Sequence, residues 1–339
     1  MRSVLALTGG RKVPSARFRV RQYISELQQH NIALTEHAAW FGTYPPPTRW
    51  VRPIWACASL AQRVPSLVAS YRYEVVLFQR EMLSTFATLE SLANKPRVFD
   101  VDDAIFLYRN GTFTKRLARE VNCVICGNEF LADWFSGFNA NVVIIPTAVD
   151  TDRYVPGLRS LDPRPLTIGW IGSSANLEYL QRIEVALAKT LHATPRARLL
   201  VVCDKPPCLP ALDQSRIEFV KWSEDLELHS IQRMDVGIMP LDDSLWARGK
   251  CSFKMLQYMS CGIPSVVSPV GSNIEILGIG ACSLGAATES QWIENLTTLL
   301  MDSALRARMG QLARRIALEH FSVHALAPRL AACLHSVCT

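Results

Sequence analysis

Two lysines and a glutamine are regularly spaced within residues 249–257, Gly-Lys-Cys-Ser-Phe-Lys-Met-Leu-Gln. In a helix Lys250, Lys254 and Gln257 would lie at i, i+4 and i+7 and share one face near the helix start. Two ammonium groups beside the positive end of a helix dipole repel each other unless an anion lies between them. The spacing therefore predicts an anion site, and the alternative is that both lysines are only solvated.

A second candidate for anion binding is Gly172-Ser173-Ser174, which follows the apolar, strand-like residues 166–171. Free N–H groups at the start of a helix, together with two hydroxyls, suit a phosphate. The chain contains neither GxGxxG nor GxxxxGK[ST], so the usual dinucleotide and Walker signatures are absent. Taken alone, the segment is more typical of a tight turn with a helix cap.

Three carboxylates, Asp100, Asp102 and Asp103, stand at the end of another strand-like segment. Such a group can bind a metal ion, act as a base or hold sugar hydroxyls. The alternative is that Asp102 and Asp103 cap a following helix. Carboxylates crowded together raise the pKa of one of their number, so such a cluster is favoured beside basic groups. Arg80, at the end of the preceding strand, is the expected basic neighbour.

The charge of the chain is uneven. Residues 1–80 hold eleven basic and three acidic residues, whereas the whole chain has a net charge of +6. Such an excess indicates an anionic partner, either a phosphate, a nucleic acid or an anionic membrane face, and the alternative is an ordinary solvated surface. No helix-turn-helix, RRM or KH signature occurs, so nucleic acid is not expected. The densest basic cluster, residues 11–21, follows a glycine turn at Gly10.

Length and composition exclude several classes of protein. A chain of 339 residues with 49% apolar and 19% charged residues and a mean hydropathy of +0.11 is expected to form two globular domains. No apolar run reaches the roughly 18 residues of a membrane span, and no signal peptide is evident, so a cytoplasmic protein is expected. Ten cysteines without framework spacing predict buried thiols, and the single CxxC, Cys123–Cys126, is not expected to bind zinc.

Short apolar strands alternate with helical patterns along the chain, which predicts an α/β fold with parallel sheets. In the first half the predicted strands are 3–8, 75–78, 97–100, 123–126 and 142–145, and the predicted helices are 17–30, 81–92, 112–120 and 128–135. After a predicted linker, 146–165, the strands are 166–171, 199–203, 217–219, 236–239 and 265–268, and the helices are 177–193, 225–232, 254–260 and 291–320. Two doubly wound domains facing a cleft are expected, with ligands beyond the carboxyl ends of the strands.

Three segments together resemble one protein family. Residues 257–268, Gln-Tyr-Met-Ser-Cys-Gly-Ile-Pro-Ser-Val-Val-Ser, resemble Glu-Ala-Met-Ala-x-Gly-x-Pro-Val-Val-Ala-Ser of the retaining nucleotide-sugar glycosyltransferases of family 4. Residues 146–154 resemble that family's Pro-Asn-Gly-Val-Asp-x-x-x-Phe, and residues 235–240 resemble its Ala-Asp-Val-x-Val-x-Pro strand. The resemblance spans nearly the whole chain.

The resemblance implies the GT-B fold, with two Rossmann-like domains. Residues 1–155 would bind the acceptor, residues 156–316 would bind the nucleotide sugar, and a terminal helix in 317–339 would pack back toward the first domain. The family transfers a sugar from a nucleoside diphosphate sugar with retention of the anomeric configuration. Neither a metal nor a cofactor would be needed. The expected acceptor is a glycan or a lipid-linked molecule, with possible peripheral contact to an anionic membrane.

The resemblance also implies roles for individual residues. Lys250 and Lys254 would neutralise the diphosphate during catalysis, and Asp102 or Asp103 would lie near the reacting sugar. The implied donor-binding residues are Gly172, Ser173, Ser174, Trp222, Glu224, Lys250, Lys254, Gln257, Gly271 and Asn273, with Trp222 and Glu224 toward the base. On the acceptor or phosphate side the implied residues are Gly10, Ser15, Arg17, Arg19 and Arg80.

The sequence departs from the family at its paired glutamates, where Gly249 and Gln257 stand instead. Gln257 can still hydrogen-bond ribose hydroxyls, whereas Gly249 has no side chain to hold a sugar. These changes resemble a divergent branch with a Gly-Lys-x-x-Phe-Lys motif. Two alternatives stay open, a non-catalytic sugar-nucleotide binding protein and an epimerase on the same fold.

Overall fold

A computed structural model of the chain describes residues 1–41, 45–83, 86, 88–158 and 164–337. Their contacts divide the chain into two compact units. Unit 1 consists of Met1–Ala148, Arg248–Cys251 and Val323–Thr339, and unit 2 consists of Val149–Ala247 and Ser252–Ser322. Four residues in the second half of the chain, Arg248–Cys251, thus belong to the first unit.

Unit 1 is built on a six-stranded parallel sheet in the order β2-β1-β3-β4-β5-β6. The inner strands β3, β4 and β5 are buried along their whole length, and β1 is buried from its third residue onward, as is usual for parallel sheets covered on both faces. The strands are β1 Arg2–Thr8, β2 Ile32–Ala38, β3 Val75–Gln79, β4 Arg97–Val101, β5 Cys123–Cys126 and β6 Val142–Ile144.

Helices cover both faces of this sheet. They are α1 Pro14–Arg19, α2 Ile24–Gln29, α3 Arg52–Ala61, α4 Val64–Ser70, α5 Thr112–Glu120, α6 Glu129–Ser136 and, from the end of the chain, α15 Val323–Ser336. Asn128 caps α6 by accepting a 2.9 Å hydrogen bond from the N–H of Leu131. Apolar residues of α15 complete the core between α2 and the sheet.

Unit 2 has its own six-stranded parallel sheet in the order β12-β11-β10-β7-β8-β9. The strand order reverses between β7 and β10, and ligands of such sheets bind beyond the carboxyl ends at this point. The strands are β7 Leu166–Ile171, β8 Ala197–Cys203, β9 Ile217–Lys221, β10 Val236–Met239, β11 Ser265–Val267 and β12 Ser283–Gly285.

The helices of unit 2 bury apolar clusters on both faces of its sheet. They are α7 Leu177–Arg182, α8 Glu184–Ala193, α9 Glu224–Gln232, α11 Phe253–Ser260, α12 Ser272–Ile279, α13 Glu289–Met301, α14 Ser303–Ile316 and the short α10 Leu245–Arg248, whose last residue belongs to unit 1. Gly262 has a φ of +68°, and this left-handed residue ends α11 as its position in the sequence predicts. Thr288 and Gln291 form a capping box at the start of α13.

The predicted α/β class with two parallel sheets is confirmed, and every predicted strand is present. The helix predicted over 81–92 is wrong, because the described residues there form only a short 3-10 helix, Glu90–Leu92. Residues 84, 85 and 87 of that prediction lie outside the described residues. The buried carboxylates of Glu81 and Glu90 explain the difference, since each makes hydrogen bonds that hold an irregular segment.

Strand β2 and helices α3 and α4 were not predicted. Most of their residues are half-buried or exposed, so the segments lack the continuous apolar run that marks the other elements. Among the nine described cysteines six are buried, whereas Cys57 and Cys208 are exposed. None of the helices in the described part of the chain is long and apolar enough to cross a bilayer.

Candidate functional site

The residues after β7 form the first part of the site in unit 2. Gly172 follows the strand directly, and a Cβ at this position would lie 2.8 Å from Cε of Lys254 and from the indole of Trp170. A larger residue at position 172 would require the lysine stem and the indole to shift. The ammonium of Lys254 lies 5.1 Å from the centre of the Trp170 ring, a cation–π distance. Gly172 and Lys254 are therefore neighbours.

The starts of α11 and α12 form the second part. Ser252, with a φ of +53°, donates a 2.6 Å hydrogen bond from Oγ to Oδ1 of Asn273. The amide of Asn273 in turn donates to the carbonyl of Ser268 at 2.8 Å, and the side chain is completely buried. Gly271 precedes α12 with a φ of +54°, which glycine tolerates best. These contacts hold two eight-residue helices by their amino ends.

Ser272 is the first residue of α12, and its buried hydroxyl is energetically unfavourable in the free protein. Its side chain is 6% exposed, and its hydroxyl is buried without a hydrogen-bond partner in the structure. A buried polar atom left unpaired costs about 1–3 kcal/mol. Beside helix starts, whose N–H groups and dipoles favour an anion, this hydroxyl is suited to a phosphate oxygen. Neither Ser252 nor Ser272 was among the predicted site residues, although Ser272 stands between the predicted Gly271 and Asn273.

The Gly-Ser-Ser loop is arranged differently from the prediction. The backbone N–H and the hydroxyl of Ser174 both donate to Asp204, at 2.6 and 2.7 Å, and these bonds lower the pKa of that carboxyl. Ser173 accepts a hydrogen bond from Asn176. The loop thus already holds a carboxylate, so the expectation that both hydroxyls face a phosphate fails at Ser174. Asp204 follows the buried β8 directly, and this position at the carboxyl end of a strand could have identified it as a residue near the site.

The predicted base-side residues belong to a chain of hydrogen bonds within unit 2. The indole N–H of Trp222 donates to Glu227 at 3.3 Å, and the other oxygen of Glu227 accepts from the hydroxyl of Tyr154. Gln257 donates to the same Tyr154 hydroxyl at 3.1 Å and is buried. Gln257 is therefore held within the network rather than at the surface.

Glu224 lies beside that network, since its partner Arg153 lies over the ring of Tyr154 at 5.8 Å. It pairs with Arg153 at 3.0 Å and remains more than half exposed. Both Glu224 and Trp222 are thus accessible from solvent, with Trp222 37% exposed.

Unit 1 brings together the predicted arginine and carboxylates. Arg80 follows β3 with a φ of +60°, and its guanidinium contacts Asp102 at 2.6 Å and Asp103 at 2.5 Å. Burial raises the pKa of Asp103, and the charge of Arg80 opposes that rise. All three side chains remain between one-eighth and one-quarter exposed, so the cluster is reachable from solvent.

Lys250 reaches the same cluster from the four-residue segment Arg248–Cys251. Its charge favours the ionised form of Asp103, and Cys251 contacts the carbonyl of Asp102 at 3.2 Å. A Cβ at Gly249 would lie 2.6 Å from Ala104, so no larger residue fits. Because α11 begins only at Phe253, the predicted helix face shared by Lys250 and Lys254 does not form. The two lysines belong to different units.

The basic cluster near Gly10 is mostly engaged in structure. Arg19 is 4% exposed and forms a buried ion pair with Asp100, with hydrogen bonds of 3.0 and 3.1 Å from Nε. The charge of Asp100 is thus balanced by Arg19, and Asp100 does not join the pair Asp102 and Asp103 on Arg80. Because Arg19 is buried in this ion pair, it is not available to a phosphate, contrary to the prediction. Ser15 donates to the buried Gln79. Arg17 lies over the Phe18 ring at 4.8 Å.

Unit 1 also contains a cavity of about 490 Å³ that was not predicted from the sequence. Its lining includes Arg63, which is 2% exposed and whose Nη atoms donate only to the carbonyls of Thr8 and His37. Its Nε has no partner, and burial lowers its pKa to about 10. The other lining residues are Arg11, Glu36, His37, Ala38, Ala39, Trp40, Gln62, Pro65 and Ser66. A volume of this size is in the range of small-molecule sites.

Within the described residues, no group of three or more His, Cys, Asp and Glu side chains is arranged to hold a metal ion. The histidines are dispersed, and the carboxylates near the two sites are paired with arginine or with hydroxyls.

Comparison with known proteins identifies the architecture. Residues 165–302 match the family model described as Glycosyl transferases group 1. No match among curated protein sequences is found. The matched region contains all six strands of the unit 2 sheet and the starts of α11 and α12.

Solved structures resemble the chain over almost its full length. Sucrose-phosphate synthase from Thermosynechococcus elongatus has a TM-score of 0.71 and 14% identity, covering 99% of this chain and 99% of its own. HepE from Anabaena, in complex with UDP and glucose, has a TM-score of 0.68 and 14% identity over 99% and 100%. WaaG, a glycosyltransferase involved in lipopolysaccharide biosynthesis, has a TM-score of 0.67 and 14% identity over 97% and 98%. The predicted GT-B fold is confirmed.

Proposed function

We propose that this chain, with its GT-B fold and a glycosyltransferase family match in unit 2, transfers a sugar from a nucleoside diphosphate sugar to an acceptor. Unit 2 binds the donor and unit 1 binds the acceptor. The observation that carries the proposal is the set of phosphate-compatible groups in unit 2. Lys254 lies across Gly172, and the unpartnered hydroxyl of Ser272 lies at the start of α12.

Lys254 supplies the main chemical contribution. As the bond between the sugar and the diphosphate breaks, negative charge on the leaving phosphate rises. A fixed cation stabilises that charge more in the transition state than in the ground state, which lowers the barrier. The Trp170 indole keeps the ammonium close to the backbone of Gly172, so little reorganisation is needed. With this cation at the diphosphate, we propose that the reaction needs no metal.

The proposed reaction retains the anomeric configuration. The C1–O bond to the diphosphate breaks, the acceptor oxygen bonds to C1 from the same face, and the acceptor proton passes to the leaving phosphate. No protein nucleophile is assigned. Arg80 holds both Asp102 and Asp103, the charge of Lys250 acts on Asp103, and we assign the two carboxylates a role in turnover.

The acceptor is proposed to occupy the cavity of unit 1. The cavity holds the exposed Arg11 and the buried Arg63, while its one carboxylate, Glu36, is paired with Arg21 at 2.8 Å. The local charge therefore favours an acceptor with an anionic group, such as a phosphate of a lipid-linked glycan.

A second candidate, a non-catalytic sugar-nucleotide binding protein, is favoured by one observation. The two positions where the family has glutamates are occupied here by Gly249 and Gln257, so neither offers a carboxylate. Gly249 is packed against Ala104, and Gln257 is hydrogen-bonded to Tyr154. This candidate predicts donor binding without bond cleavage, which separates it from the enzyme.

The test has two stages. A thermal-shift and calorimetric screen against UDP, GDP, ADP and CMP, with their sugar conjugates, is expected to show binding of one nucleoside diphosphate. Proton NMR of that donor with lipid and glycan acceptors is then expected to show transfer with the anomeric configuration kept, in the presence of EDTA. Binding of none of the nucleotides contradicts the donor site, and binding without cleavage across the acceptors supports the non-catalytic candidate.

A further inference from the structure

The segment before and within α3 and α4 carries an unusual apolar surface. The backbone is helical from residue 49 to residue 71, because the joining residues Val51, Gln62, Arg63 and Tyr71 all have right-handed helical φ and ψ. Only three side chains of α3 and α4, Ser59, Leu67 and Ser70, are buried. An apolar helix of this length that buries so little of itself requires an explanation.

The exposed residues follow a strict helical spacing. They recur at alternating steps of four and three residues, so that they form one stripe along a single helix face. This α3–α4 stripe consists of Trp50, Ile54, Cys57, Ala61, Val64, Val68 and Tyr71, all exposed.

Exposure along the stripe is high for large apolar side chains. Trp50 is 79% exposed, Ile54 69%, Val68 67% and Tyr71 67%. Trp40, whose N–H bonds Gln62 at the α3–α4 junction, is 88% exposed. Apolar patches of this extent on a folded protein mark a surface that is covered by a partner.

Charge distinguishes the kind of partner. Between Glu36 and Glu74 the sequence contains four arginines and no acidic residue. Arg49 and Arg72 are exposed and flank the stripe at its two ends. A second copy of the chain would bring the same arginines together, and they would repel each other. An anionic surface would attract them.

We propose that the α3–α4 stripe docks on a bilayer that contains anionic lipid. A helix with an apolar face and arginines beside it lies in the plane of the interface, with its apolar side chains in the acyl boundary. Tryptophan and tyrosine prefer this depth, where the ring is apolar and its polar group stays wet. Each arginine near the anionic surface adds about fivefold to binding.

The position of the stripe fits this partner. Gln62, Arg63 and Ser66 belong to the same helical segment but line the cavity of unit 1, so they lie on a different face from Ala61, Val64 and Val68. Docking through the stripe would therefore leave these cavity-lining residues uncovered. The docking itself does not rest on the proposed glycosyl transfer, since it requires no nucleotide.

The experiment is co-sedimentation of the full chain with vesicles, without nucleotide. We expect binding to vesicles of equal parts phosphatidylglycerol and phosphatidylcholine, weakened by salt, and little binding to phosphatidylcholine alone. Val68→Asp and Ile54→Asp should each reduce binding about tenfold or more, because a charge replaces a side chain that enters the acyl boundary. Arg72→Gln should reduce it about fivefold.

Matched controls separate this surface from general effects. Val185→Asp changes an exposed valine in the first turn of α8, and Arg315→Gln changes an exposed arginine of α14, both in unit 2. Both should bind vesicles as the unchanged protein does, and circular dichroism should show all variants folded.

Three outcomes overturn the proposal. They are absence of binding to anionic vesicles, an equal loss in Val185→Asp, and a self-associating protein that Val68→Asp converts to monomer without any vesicle binding. The last outcome identifies the stripe as an interface between two copies. Nucleotide affinity, measured separately by calorimetry, should be unchanged in Val68→Asp, which keeps this test independent of the donor site.

Discussion

The hydroxyl of Ser252 donates a 2.6 Å hydrogen bond to Oδ1 of Asn273, and this buried bond joins the start of α11 to the start of α12. Ser252 accepts a left-handed conformation to make it. The bond orients the first residues of both helices, and with them Lys254 and Ser272. The proposed donor site depends on this arrangement.

Removing the Ser272 hydroxyl should affect the free and the bound protein differently. Ser272→Ala deletes a buried, unpartnered oxygen, so the melting temperature of the free protein should stay the same or rise. If a phosphate pairs with this hydroxyl, the affinity for the nucleoside diphosphate should fall about fivefold to tenfold. Thr297→Val, which removes another unpartnered buried hydroxyl in α13, is the control and should leave affinity unchanged. Equal affinity in both variants contradicts the assignment.

Lys254→Ala should weaken binding of the nucleoside diphosphate more strongly. A charge-assisted contact contributes about 1.5–3 kcal/mol, which corresponds to roughly tenfold to 150-fold in the dissociation constant. Lys189→Ala removes another lysine of unit 2, one that pairs with Glu289 on the surface, and should bind as before. Calorimetry on the two variants measures the difference, and an unchanged dissociation constant for Lys254→Ala excludes it from the donor site.

Asp103→Asn should lower turnover while leaving donor affinity nearly unchanged, because Asp103 belongs to unit 1. The exchange keeps the size of the side chain and removes the charge that Arg80 faces. Initial rates and calorimetry on the same preparation separate the two effects. Asp133→Asn, at an exposed position of α6, is the control. Full turnover by Asp103→Asn would show that Asp103 is not part of the catalytic site.

Glu81→Gln should stabilise the protein at neutral pH and not in acid. Glu81 is 3% exposed, and burial raises its pKa from 4.5 to about 6. The protonated form is thus favoured in the fold, and the stability that this gives below pH 4.5 is lost as the pH rises through 6. Glutamine stays neutral and can still accept the hydroxyl of Thr114, so above pH 6 the variant should be more stable by about 2 kcal/mol.

Denaturant unfolding at several pH values measures this difference. The gap between Glu81→Gln and the unchanged protein should close as the pH falls from 6 to 4.5. A constant gap across this range would show that Glu81 does not titrate there.

Predictions from the sequence succeeded where apolar runs are continuous. The buried strands, the glycine that ends α11 and the closeness of Arg80 to Asp102 all follow from residue type and order along the chain. They depend on parallel strands delivering their following residues to one edge of a sheet. The helix predicted over 81–92 failed because two buried carboxylates, Glu81 and Glu90, hold that segment by hydrogen bonds that no local pattern reveals.

The sequence by itself determined the α/β class, the order of the strands along the chain and the residue types available for phosphate binding. Tertiary structure decided which of them are available. It buried Arg19 against Asp100, paired Ser174 with Asp204 and assigned Lys250 to unit 1 and Lys254 to unit 2. The physical reason is that periodicity along the chain reports burial and local backbone shape. The partners of Arg19 and Ser174, by contrast, are residues distant in sequence, and only packing brings each pair together.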